Sequence, residues 1–257
     1  MKAISHKTSA RQRKPIPSLG SDRRVKAMRR VGITQLNGTN PVWWVDYSQT
    51  QVAEGTPIEP TLMPQRKAVS WAGPGPAARA AWTSEGLAFA GAQSYSRSTG
   101  DDINGETQLT IISVTNASDA GQIVETHSGG FYTTRGIVHA INATPVLIQS
   151  EGPLPTNFKN YEASFNEKLA YGTYWDTANP IPANTLLGST NGQTAIETVF
   201  TSNPKGTPFA SNNLFLGSRG SSALFFQGAI KVCILYNGES SQKNLNELTR
   251  VAQWSVR

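Results

Sequence analysis

Residues 225–237, Phe-Phe-Gln-Gly-Ala-Ile-Lys-Val-Cys-Ile-Leu-Tyr-Asn, carry the pattern that most restricts how this chain can fold. Ile230, Val232, Ile234 and Tyr236 take one side of an extended segment. Ala229, Lys231, Cys233 and Leu235 take the other. A period of two belongs to a strand, whereas a helix repeats every 3.6 residues. Just ahead, Asn213 to Gly220 reads as a second strand, joined to the first by a Gly/Ser-rich turn. Asn237-Gly238 ends the pair. Ser240-Ser241 then offers a helix N-cap, and Leu245, Leu248 and Ala252 follow at helical spacing. The unit is strand, turn, strand, short terminal helix.

Strand signals recur upstream. Residues 41–48 read as a first strand, and the stretch to residue 80 is a loop-rich region holding Pro57, Pro60, Pro64, Pro74 and Pro76. Gly86 to Tyr95 reads as a strand pair. Asp101 to Glu106 reads as a polar turn, and Thr107 to Val114 as a strand with Leu109, Ile111 and Ser113 on one face. Ile123-Val124, Phe131 to Val138, Ala143 to Gln149, Tyr161 to Gly172, Thr185 to Gly188 and Ala195 to Thr201 add further strands. Short strands with turns every ten or so residues predict a sandwich or barrel. The composition agrees: 23 Gly, 15 Pro and only 16% charged residues suit strands and turns, not helical bundles. At 257 residues, one large β domain is the expectation.

The first 33 residues are different. They hold Lys2, Lys7, Arg11, Arg13, Lys14, Arg23, Arg24, Lys26, Arg29 and Arg30 against a single acid, Asp22, a formal charge of +9. The whole chain is +6, so residues 34–257 carry −3. The division predicted is a basic extended arm, 1–33, and a body, 34–257. The arm has no apolar period and contains Pro15 and Pro17, so it cannot bury enough surface to offset its ordering entropy. By itself it is expected to be disordered; a partner surface, either acidic protein or nucleic acid, is the favoured reading, and a solvated tail the competing one. A transit peptide is a further reading of an Arg-rich, acid-poor start. No apolar stretch reaches the roughly 18 residues of a membrane span. No apolar region follows the first basic residues, so neither membrane insertion nor an ordinary secretory signal is expected.

Several segments together resemble one family. Leu214 to Gly217, Phe226 to Ile230 and Tyr236-Asn237 are similar to the closing strands of concanavalin A-like (laminin G-like) jelly rolls. Trp44-Val45-Asp46-Tyr47-Ser48 resembles the opening strand of such domains in phage proteins, and Gly86 to Tyr95 a "Gly-leu-x-phe-x-Gly-x-x-tyr" segment. The chain departs from the pattern at Glu239, where the family has leucine, and at Ala72, where an acid follows the tryptophan. The resemblance implies an all-β concanavalin A-like sandwich with a basic N-terminal arm and a short C-terminal helix. It concerns the scaffold and not the chemistry.

The residues offer little for catalysis. Glycosidases need two carboxyls about 5 Å apart for retention, and Glu162 and Glu167, five apart, would fall on opposite faces of one strand. There is no Gly-x-Ser-x-Gly elbow and no phosphate-binding Gly-rich loop. His6, His127 and His139 have no ligand at metal spacing, and the single Cys233 rules out an intramolecular disulfide and reads as a core thiol. Asp102-Ile103-Asn104-Gly105-Glu106 could supply oxygens to calcium, but an Asn-Gly turn explains it without a metal. No cofactor is expected. Tyr171, Tyr174, Trp175 and Asp176 read as a loop cluster before Pro180 that could stack on and hydrogen-bond a sugar; core packing is the competing reading.

Two functions follow. The first is a non-enzymatic virion protein of a tailed phage, fastened to neighbouring subunits or nucleic acid by its arm and expected to be homo-oligomeric. The second is a carbohydrate-binding module that recognises host-surface glycan.

Overall fold

The structure, a computed structural model, describes residues 43–46, 55–56, 79–98, 103–126, 137–143, 146–151, 158–179, 186–195, 197–200, 208–220, 223–237 and 240–254. The arm and its ten cations lie outside the described residues, as do Trp71, His6 and His127.

The fold is all-β: two antiparallel sheets packed as a jelly-roll sandwich, with one helix among the described residues. In chain order the strands are β1 (Trp43–Asp46), β2 (Ala81–Thr83), β3 (Gly86–Ala90), β4 (Tyr95–Ser98), β5 (Gln108–Asp119), β6 (Gly121–Thr126), β7 (Val138–Ala143) and β8 (Val146–Glu151). They continue as β9 (Phe158–Glu162), β10 (Lys168–Asp176), β11 (Leu186–Thr190), β12 (Gln193–Thr194), β13 (Glu197–Phe200), β14 (Asn213–Leu216) and β15 (Gln227–Asn237). The helix α1 is Gln242–Trp254. The first sheet runs β12-β11-β10-β5-β15-β3-β2, with β1 also on β15. The second runs β13-β9-β8-β7-β6-β14-β4.

β15 is the spine of the first sheet. β5 follows one edge from Gln227↔Asp119 to Asn237↔Leu109, while β3 and β1 share the other edge. Its upstream neighbour β14 does not pair with it. β14 belongs to the second sheet, between β6 and β4. The Gly/Ser-rich stretch therefore crosses between sheets instead of closing a hairpin. β3 and β4 are parted in the same way, and the predicted strand 161–172 divides into β9 and β10 around a turn at Asn166, whose φ is +59°.

The strict alternation expected in β15 also fails at one point. The ladder to β5 shifts between Ile230↔Thr115 and Val232↔Val114, so Lys231 is the extra residue of a bulge. Ile230 thereby joins Cys233 and Leu235 in the inter-sheet core, while Val232, Ile234 and Tyr236 face outward. The expected grouping of Ile230 with those three is corrected by that one inserted residue. Leu109 and Ile111 do line the inner face of β5 with Ser113.

The outer face of the first sheet is covered by α1. Leu245, Leu248 and Ala252 are fully buried against Ile112, Val114, Ala170, Val232 and Ile234. Ser241 caps the helix, its Oγ accepting from Asn244 N at 3.2 Å. A side chain at Gly172 would meet Ile112 Cδ1 at 2.6 Å and Thr249 Cγ2 at 2.9 Å, so glycine sets how closely the helix approaches. Covered on both faces, β5, β10 and β15 are buried almost end to end.

Candidate functional site

β10 carries all four residues expected to form a glycan cluster, and the strand separates them. They lie on a central strand, not in a loop. Tyr171 and Trp175 point into the inter-sheet core and are fully buried. Trp175 packs edge-to-face on Phe209, with ring centroids 6.2 Å apart. For these two the packing reading holds, because side chains an even number apart share a face and this one is inward. Tyr174 and Asp176 take the outer face with Tyr236 and Thr110.

The register builds two rows there. Tyr174, Thr110 and Tyr236 lie side by side on β10, β5 and β15. One step nearer the sheet's end, Asp176 lies beside Gln108. Asp176 is the hub of this lip. Its Oδ2 accepts from Gln108 Nε2 at 3.2 Å and from Asn179 Nδ2 at 3.4 Å, and its Oδ1 accepts from Ala178 N at 3.2 Å. An aspartate at a strand end bonding the amide two residues on is a local turn device, which explains why the chain leaves the sheet here. Thr177 ties the turn to the neighbouring strand, its N and Oγ1 both donating to Thr107 O. Glu106 Oε1 accepts from Asn237 Nδ2 at 3.4 Å. Gln108 and Asn179 are half-buried, so the rim reaches solvent, while Asp176 and the tyrosine row beneath are buried.

Asp176 is one of the residues named from the sequence. Gln108 is not, since it lies 68 residues from Asp176 along the chain and only the ladder brings the two together. Part of the turn weighed for calcium is described, and in it Glu106 pairs with Asn237 and, through its carbonyl, with Phe209 N. Asp102 lies outside the described residues, and among those described no group of three or more His, Cys, Asp or Glu is placed to hold a metal. Glu162 and Glu167 fall on separate elements, the end of β9 and the turn before β10.

Two other polar clusters are buried. Between the sheets, Ser113 Oγ lies 3.2 Å from His139 Nδ1 and 3.3 Å from Cys233 Sγ, and Thr115 Oγ1 lies 3.0 Å from the Tyr171 hydroxyl. Burial drives His139 down to about 3 and Cys233 up to about 12, so the ring is neutral and the thiol protonated. That is a packed group and not a nucleophile. On the second sheet a bulge at Ile123 lets Gln122 and Glu125, three residues apart, sit opposite Ala140 and Val138 on one face. Burial lifts the Glu125 carboxyl to about 7, and Arg219, 3.3 Å away, pulls it back only in part.

No family model matches the chain, and no curated protein matches it. Solved structures do. Trypanosoma rangeli sialidase with 2,3-difluorosialic acid is 10% identical, with a TM-score of 0.51 over 83% of this chain and 33% of that one. The same enzyme with 2,3-difluoro-KDN gives 10% and 0.51 over 91% and 39%. Domain 4 of AbnA, a GH43 arabinanase of Geobacillus stearothermophilus in complex with arabinotriose, gives 12% and 0.46 over 82% and 98%. This chain thus spans a third to two-fifths of the length of the sialidases. At such identity the likeness is one of fold alone.

Proposed function

We propose that this protein is a non-catalytic carbohydrate-binding module that holds glycan hydroxyls at the lip formed by Asp176, Gln108 and Asn179. The observation that carries the reading is the meeting of one carboxylate and two amides, from two adjacent central strands and the turn after β10, at one end of the outer face. Sugar hydroxyls both donate and accept, and side chains of this kind answer both needs while a rigid sheet fixes their spacing. The test is a glycan array followed by calorimetry on the full chain. Gln108→Ala is expected to weaken binding about tenfold, the loss of one or two hydrogen bonds, with an unchanged melting curve. Binding that survives both Gln108→Ala and Asp176→Ala would place the site elsewhere.

A second reading rests on the charge division, +9 in residues 1–33 against −3 in the rest. Such an arm suits attachment to an acidic partner surface, as in a virion accessory protein. Deleting residues 2–33 is expected to leave the melting midpoint unchanged and to abolish incorporation into particles. Normal incorporation of the truncated chain would end that reading.

A further inference from the structure

Resting on the glycan-binding reading, we infer that the lip reads a single sugar unit and does not hold a stretch of sugar chain. The rung Gln108↔Asp176 is the last of the ladder between β5 and β10. β15 ends at Asn237, opposite Leu109, and β11 begins at Leu186, opposite Trp175. Among the described residues, neither flanking strand reaches that final rung, so the lip is two strands wide. Adjacent strands lie about 4.8 Å apart, close to the span of one pyranose ring. Asn179 stays within this width, its Nδ2 lying 3.4 Å from Asp176 Oδ2.

The same face is closed behind the lip. Tyr174, Thr110 and Tyr236 fill the next row, and all three are buried. Beyond them α1 covers the sheet, with Leu245, Leu248 and Ala252 packed with Ile112, Val114 and Ala170. A sugar chain therefore cannot run from the lip along the strands. Tyr171, Tyr174, Trp175 and Tyr236 are all buried, so none of them offers a ring face on which a second sugar could stack. What reaches solvent is the pair of half-buried amides, Gln108 and Asn179. Gln108 gives one N–H to Asp176, which leaves a second N–H and a carbonyl oxygen to meet neighbouring hydroxyls of one ring. Thr177 holds the turn that carries Asn179, its N and Oγ1 donating to Thr107 O at 2.9 and 3.2 Å.

The experiment is calorimetry on the full chain with ladders of one to six sugars in the gluco, galacto, xylo, arabino and sialic acid series. In any ladder that binds, affinity should rise no more than about threefold from two sugars to six, the ratio of units on offer. Gln108→Ala, checked for folding by circular dichroism, should weaken the short and the long member by the same factor, about tenfold. A steeper rise with length would overturn the single-unit reading and leave glycan binding standing. So would a six-sugar ligand that keeps its affinity in the variant while the two-sugar ligand loses it. No binding by any ladder would overturn the glycan reading, and the single-unit reading with it.

Discussion

Glu125 and His139 set opposing pH dependences inside one fold. His139 ordinarily titrates near 6.5, and burial lowers it to about 3. Between those values the unfolded chain takes up a proton that the folded chain refuses, so this contribution to stability is lost as pH falls from 6.5 toward 3. Glu125 moves from 4.5 to about 7, so the folded chain keeps a proton that the unfolded one releases. That contribution is lost as pH rises from 4.5 toward 7. The two offset each other between 4.5 and 6.5. Thermal melts across pH 3–8 should therefore show a plateau there, with a fall on either side. Glu125→Gln should remove the decline above 6.5, and a decline that persists in that variant would assign it to another group. Cys233 gives a second residue-level test. Fully buried, with its thiol raised to about 12, it should react with a thiol reagent at pH 8 about a thousandfold or more slower than in denaturant. Rapid labelling of the native protein would contradict its placement in the core.

Among the elements, glycines mark where the backbone has no room. A Cβ at Gly121, the start of β6, would lie 2.5 Å from the Phe225 carbonyl oxygen and 2.6 Å from Phe226 Cα. Both are backbone atoms held by the crossing into β15, so they cannot step aside. At Gly172 the obstacles are side-chain tips of Ile112, Thr249 and Leu245, which can shift at the cost of helix docking. Gly121→Ala should cost about 1–3 kcal/mol in urea unfolding. Gly172→Ala should cost less and act locally, as faster proteolysis near α1. Equal costs, or no change in proteolysis, would contradict this division. The helix itself was legible in advance: the Ser241 cap and the spacing of Leu245, Leu248 and Ala252 are local signals, and each holds. The bulge at Lys231 was not, because a residue inserted into a ladder is defined by the partner strand and leaves no mark on the apolar pattern.

For the whole molecule, the same contrast separates what sequence carries from what it omits. The all-β class, most strand positions, the terminal helix and the single core thiol follow from rules that act over a few residues: the two-fold alternation of side chains, turn-forming residues, helix caps. The sequence by itself therefore determined the kind of sandwich this is, and it singled out Asp176. Only the tertiary structure decided that β14 and β15, neighbours in the chain, belong to opposite sheets. Likewise, it turned Tyr171 and Trp175 into core while leaving Tyr174 and Asp176 on the outer face, and it set Gln108 and Asn237 beside residues more than sixty positions away. The physical reason is that alternation states which residues share a face but not which face is buried. That choice is made by the burial gained when distant segments pair, and no local window of the chain contains it.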